Sequence, residues 1–365
     1  MLYNDVMGKE NKNRLMIMKK RIIQCLKYTG IVLLVFIVIN LIRPTWTPDI
    51  DGENSISELR KVNIGDTELE VMIRGCDKEN PVLIFVHGGP CCSEIPYVRK
   101  YQEELEKYFT IVHYDQRGSG KSYVFGEDYS SVTIEMHVND LLELTRYIES
   151  YLEKEEVILL GHSFGTYIAT MAVAKNPELY KAYVGIGQMS DPIGGELNNL
   201  YKCIEAAETD GNQEDVEYLK SLEQSISKGE IITPREYVRK YGFAARQIDD
   251  NADYLVSFLF GKEYNLLDAI RFYTASIKYQ DGLILESINK PITEAVTNID
   301  VPVYFVMGKY DGMTSPESAK DYLNSLTGEG IKEFVLFNES AHYPQFEEEE
   351  KFCEWMKKTF YDTKY

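Results

Sequence analysis

The sequence predicts a doubly wound α/β fold: a mostly parallel sheet covered on both faces by helices, interrupted by a helical cap and preceded by a membrane-spanning helix. Three observations carry this. Short, near-continuous apolar runs alternate with amphipathic helical stretches such as "IEMHVNDLLELTRYIESYL", the signature of strands buried on both sides. About a hundred residues between Ser190 and Ile299 contain no comparable run. Near the N-terminus, Ile22 to Ile42 is predominantly apolar and carries no charge apart from Lys27.

The apolar segment comes first in the chain. At about 1.5 Å per residue it reaches roughly 31 Å, one bilayer core, with Lys27 able to snorkel toward the head groups. No small-residue cleavage site follows it, so an uncleaved anchor is expected. Residues 1–43 carry a charge of +6 and the remainder −25, for a total of −19. Basic residues precede the span, and Asp49, Asp51, Glu53 and Glu58 follow it. The positive-inside rule therefore places residues 1–21 in the cytoplasm, 22–42 in the cell membrane as a single pass, and the body outside the cytoplasm. "MKKRIIQ" from Met18 resembles a natural start, which N-terminal sequencing would test. Residues 43–57 read as a polar linker.

From residue 58 the pattern is strands first. "LRKVNIGDTELEVMIRG" alternates like a hairpin, and strand runs follow at 81–89, 109–118, 156–163, 182–187, 301–311 and 332–342. This gives a core in two parts, 58–190 and 300–365, with residues 191–299 inserted as the cap over the strands' carboxyl ends. Five charged, aromatic-rich helical patterns fill the insertion, among them "PREYVRKYGFAARQI".

With 44% hydrophobic and 27% charged residues the chain is globular. So acidic a body repels phosphates, which excludes nucleic acid as a partner. Six cysteines show no C-x-x-C pair and no zinc spacing with histidine, so neither a disulfide framework nor a metal is expected. No organic cofactor is required either.

Ligands of open α/β sheets bind beyond the carboxyl ends of strands, so polar residues just after strands are the ones to weigh. In "GHSFG", residues 161–165, Ser163 sits at a strand-to-helix corner that would push its hydroxyl out of the fold. Asp311 follows the run at 301–311, and His342 follows the last strand. A serine hydroxyl needs an imidazole to take its proton, and the imidazole needs a carboxylate to hold its tautomer. Of the five histidines, His113 lies in a strand, His137 on a helix, His162 at the variable position of the corner and His87 at the start of "HGGP"; only His342 follows the last strand. Asp191, trailing the strand at 182–187, is the competing acid. Backbone N–H groups of Gly89, in "HGGP", and of Phe164 are the candidate oxyanion donors.

These motifs, "HGGP" (87–90), "DQRGSGKS" (115–122), "GHSFG" (161–165), "GKYD" (308–311) and "SAHYPQFEE" (340–348), resemble those of α/β-hydrolases of the proline iminopeptidase type. The resemblance covers residues 58–360 and implies the α/β-hydrolase fold and an aminopeptidase acting through a serine acyl-enzyme. Cys91 stands where the family usually has glycine, and "GHSFG" where "GGSWG" is common. No motif matches the cap acids with which family members hold the substrate amine. Asp115 and Arg117 are expected to lock the loop beside the corner. The reading is thus a membrane-anchored serine hydrolase of small peptides. A carboxylesterase or lipase-like enzyme of small esters would use the same triad. The alternative from another class, a catalytically inactive binding protein, is disfavoured by the presence of all three triad positions.

Overall fold

The computed structural model describes residues 2–362. Eight strands form one sheet in the order β1-β2-β4-β3-β5-β6-β7-β8. They are β1 Ile56–Ile64, β2 Thr67–Gly75, β3 Val82–Val86, β4 Thr110–Tyr114, β5 Val157–His162, β6 Tyr180–Ile186, β7 Val303–Gly308 and β8 Lys332–Phe337. Only the β1–β2 and β2–β4 pairings are antiparallel; the other five are parallel.

Period-two alternation explains the continuous apolar runs. In β3, Val82, Ile84 and Val86 face one layer while Leu83 and Phe85 face the other. The first layer is made by α2 (Ile134–Leu152), α3 (Phe164–Lys175) and, under β7, α9 (Pro316–Ser325). The second contains α10 (Glu349–Met356), through Phe352, Cys353 and Met356. α2 begins where Thr133 accepts the Met136 amide, the cap that "T-I-E-M" provides.

Between β6 and β7 lie α4 Pro192–Thr209, α5 Gln213–Ser227, α6 Arg235–Lys240, α7 Asp250–Phe260 and α8 Leu266–Asn289. Leu200, Cys203, Val216, Leu219 and Val238 give α4 to α6 a small core of their own. α7 and α8 instead bury Phe258, Tyr264 and Phe272 against Ile95, Tyr97 and Val98. The sequence pattern at 234–248 reads as helical throughout, but α6 stops at Lys240. Beyond it the backbone is used elsewhere: Phe243 O accepts from Gly312 N (2.9 Å) and Ala244 O from His342 N (3.1 Å).

At the N-terminus one helix, α1, runs from Leu2 to Ile42, with no break at residue 21. Its Met16–Ile42 portion is long and apolar enough to cross a membrane, as an anchor or a signal sequence. The segment after it has no regular secondary structure but is strapped to the body. Trp46 N donates to Lys262 O (3.0 Å), and buried Arg74 donates to Thr47 Oγ1 and Pro48 O (2.6 Å each) while paired with Glu106 (2.7 Å).

Candidate active site

The corner after β5 is strained in the way the sequence implies. Ser163 sits at φ 54, ψ −126, a conformation an L-residue keeps only when its surroundings over-determine it. Its N–H donates to Ile186 O (2.9 Å), and its carbonyl accepts from Thr166 N (2.9 Å) and Thr166 Oγ1 (2.6 Å). A Cβ at Gly165 would lie 2.0 Å from Val86 O, so only glycine lets α3 start this close to β3. Ser163 is left half-buried, facing the cap.

Beyond β8, His342 Nδ1 lies 2.9 Å from Asp311 Oδ2. The two side chains are 2% and 0% exposed. The other oxygen of Asp311 accepts from Met313 N (2.8 Å) and Thr314 N (2.9 Å), and Thr314 Oγ1 donates to Oδ2 (2.8 Å). Burial alone would raise this carboxyl, but His342 and the Thr314 hydrogen bonds outweigh it and hold it below its ordinary value. With Nδ1 donating to the carboxylate, His342 Nε2 keeps a free lone pair; it is buried and has no hydrogen-bond partner among the described residues. Ser163 Oγ therefore does not bond to it here, a looseness common in unliganded enzymes. The groups are nonetheless neighbours. Gly187 directly follows the residue that holds Ser163 N, and a Cβ on it would stand 2.8 Å from His342 Cε1.

Asp191, the competing acid, is occupied elsewhere. Its carboxylate caps α4, accepting from Ile193 N and Gly194 N at 3.0 Å each. The thiols flanking the "HGGP" loop are poor rivals to the serine, since burial pushes Cys91 up to about 12 and Cys92 to about 11. All six cysteines are free.

Gly89 and Phe164 both line the cavity that contains Ser163. Among the described residues neither amide donates to an acceptor, and Phe164 opens α3, whose dipole also favours negative charge. The loop is held from two sides. Gln280 of the cap donates to Gly89 O (3.0 Å). Gln116 of "DQRG" donates through its amide to His87 Nε2 (3.1 Å) and through Nε2 to His87 O (2.7 Å). His87 is thereby fixed as the neutral Nδ1–H tautomer, bonded to Gly88 O (2.9 Å), and burial lowers it to about 4. The rest of that motif locks its own loop, as expected. Arg117 forks onto Asp140 (2.9 and 2.7 Å) and reaches Asp66 (2.7 Å). Asp115, pushed up to about 7 by burial, accepts from Lys121 N (2.6 Å) and Tyr264 OH (2.5 Å). The acids of "SAHYPQFEE" do the same for the histidine loop: Glu347 accepts from Ala341 N (2.5 Å) and Glu348 from Ser340 Oγ (2.7 Å).

Residue reasoning passes over one pair. His162, read as the variable position of the corner, is buried with Nδ1 2.5 Å from Glu94 Oε1 and Nε2 3.0 Å from His342 O. A glutamate in the apolar context "CCSEIPYV" is the signal that a partner must exist.

The cavity over Ser163 holds about 300 Å³ beneath α4 and α8. Phe164, Met189, Ile232, Ile284, Ile288 and Met313 make it apolar. Glu196 is neutralised by Arg235 (2.5 Å). Asp281 makes no ion pair or hydrogen bond among the described residues, and the buried Asn199 Oδ1 is an acceptor without a donor.

Residues 81–207 match the sequence profile of the α/β hydrolase fold. A probable aminopeptidase, YbaC, of Bacillus subtilis (strain 168) is 32% identical over 309 residues, 83% of this chain and 96% of that protein. The chain belongs to the α/β-hydrolase family. The proline iminopeptidase of Heyndrickxia coagulans is 25% identical to this hydrolase over 289 residues, 74% of this chain and 87% of its own length. In fold the hydrolase also resembles the crystal structure of the Mycobacterium smegmatis proline iminopeptidase, with TM-score 0.58 and 17% identity over 84% of this chain and 98% of the other.

Proposed function

We propose that this α/β hydrolase is a membrane-anchored serine aminopeptidase that removes an N-terminal residue, proline among them, from small peptides. The observation that carries the reading is the buried His342–Asp311 pair beside the strained Ser163, under a cavity with an unpaired acid. Ser163 Oγ attacks the scissile carbonyl as its proton passes to His342 Nε2, and Asp311 stabilises the imidazolium formed. The N–H groups of Gly89 and Phe164 receive the oxyanion. His342 returns the proton to the leaving amine, then takes one from water to hydrolyse the acyl-enzyme. Asp281 and Asn199 Oδ1 supply acceptors for a substrate ammonium. The names of the relatives support the substrate class. The basic N-terminal flank and acidic body support α1 as an anchor in the cell membrane, N-terminus cytoplasmic and body extracytoplasmic.

The apolar lining favours a second reading, a carboxylesterase with the same triad. Proline-naphthylamide and p-nitrophenyl esters separate the two. The peptidase reading expects amide turnover that Ser163→Ala abolishes; ester turnover without amide turnover rejects it.

A further inference from the structure

The cap leaves large apolar side chains in the open on two adjacent helices. Leu255, Val256 and Phe260 of α7 are 56–68% exposed, and Ile270, Tyr273 and Ile277 of α8 48–81%. The α8 residues are spaced i, i+3, i+7, which puts them on one helical face. Contiguous exposed apolar surface of this kind marks a contact site.

The neighbouring helix indicates what covers it. Phe36 of α1 packs on Phe260, ring centroids 6.1 Å apart. Phe36 precedes the end of α1 by six residues, so the contact lies about 9 Å along the helix from its body end. A span ending at Ile42 would carry Phe260 below the membrane surface with it. The attachment is not a hinge. Arg43 Nη2 donates to Tyr264 O (2.5 Å), Asn265 Nδ2 to Arg43 O (2.9 Å) and Trp46 N to Lys262 O (3.0 Å). The flanking residues suit an interface: Trp46 is half exposed beside Lys262, whose ammonium is 5.8 Å from the indole. The acids Asp249, Asp250 and Asp253 cluster at the opposite end of α7 from Phe260.

We propose that the exposed apolar face of α7 and the first half of α8 is seated in the boundary between lipid head groups and acyl chains, so that cap and α1 enter the bilayer as one unit. This rests on the reading of α1 as a membrane anchor. It has a functional consequence, because the second half of α8 carries Gln280, Asp281, Ile284 and Ile288 to the substrate cavity. One helix thus touches lipid at one end and substrate at the other.

The full chain, reconstituted in phosphatidylcholine–phosphatidylglycerol vesicles with plain or acyl-brominated lipids, tests this. The chain has two tryptophans. Trp355→Phe leaves Trp46 as the reporter of the anchor, and Trp46→Phe/Trp355→Phe/Leu255→Trp reports the cap face. Retained hydrolysis of a p-nitrophenyl ester certifies folding of each. Both reporters are expected to lose emission in brominated vesicles. Quenching of Trp46 without quenching at position 255 overturns the seating and leaves the anchor standing. Quenching at neither rejects the anchor and the seating together. A position-255 reporter shielded from aqueous acrylamide yet untouched by bromine would mean that a second copy covers the face, which also overturns the proposal.

Discussion

Glu94 Oε1 lies 2.5 Å from His162 Nδ1, and the opposite nitrogen of that ring lies 3.0 Å from the backbone oxygen of His342. The two imidazoles are 4.9 Å apart. A buried ion pair thus backs the imidazole proposed to move the proton. Burial works against both charges, yet the mutual attraction and hydrogen bond keep Glu94 below its usual value and His162 above its own. Glu94 contributes stability present above 4.5 and lost as pH falls through its folded value. His162 contributes stability present below 6.5 and lost as pH rises through its folded value. The stability gap between wild type and Glu94→Gln is therefore expected to peak between pH 4.5 and 6.5 in thermal melts. A gap that does not vary with pH would show the pair to be uncharged. Glu94→Ala leaves a buried His162 that loses its proton and its Nδ1 hydrogen bond, and should cost about 1–3 kcal/mol.

Cys91 occupies a backbone position meant for glycine. At φ 64 it is left-handed, and its side chain is buried. Cys91→Gly relieves the backbone, whereas Cys91→Ala keeps the strain and loses the sulfur contacts. Against the usual order, the glycine variant should be the more stable, by about 1 kcal/mol in denaturant titration.

Arg117 is bonded to two carboxylates and lines no part of the cavity over Ser163. Arg117→Met should lower the melting temperature, because it leaves the buried Asp140 carboxylate unpaired, and leave KM for a small substrate within about twofold, because Arg117 does not line the cavity. A large rise in KM with unchanged melting would give it a substrate role.

Asp281→Asn removes the unpaired acid of the cavity. Asp281 is solvent-exposed, so KM for an aminoacyl amide should rise about two- to fivefold, as loss of an exposed ion pair of up to about 1 kcal/mol implies. KM for a neutral ester should stay where it was. Equal effects on both would place the amine elsewhere.

The sheet, α2 and the strand-to-helix corner were legible because each is encoded locally. Apolar runs mark strands buried on two faces, Thr133 marks a helix start, and Gly165 is required by a carbonyl 2.0 Å from where its Cβ would be. That Asp311 and His342 meet was legible through position, since each follows the carboxyl end of a strand. What stayed hidden depends on partners far along the chain. Glu94 meets His162 across 68 positions. Residues 241–248 look helical, but the carbonyls of Phe243 and Ala244 are committed to the loops of Asp311 and His342. The strap at 43–48 reads as polar linker because Arg74 and Lys262, which hold it, lie remote in sequence.

Asp311→Asn should keep the shape of the site and lower kcat by about 10⁴, through the wrong imidazole tautomer. In the proposed mechanism the three residues act as a unit, so Ser163→Ala/His342→Ala should be no worse than either single variant.

The most direct measurement is intact and peptide mass after exposure to a fluorophosphonate. The wild-type chain should gain one adduct, on Ser163, and His342→Ala should gain it far more slowly. No adduct, or one on another residue, would contradict the assignment of Ser163 as the nucleophile.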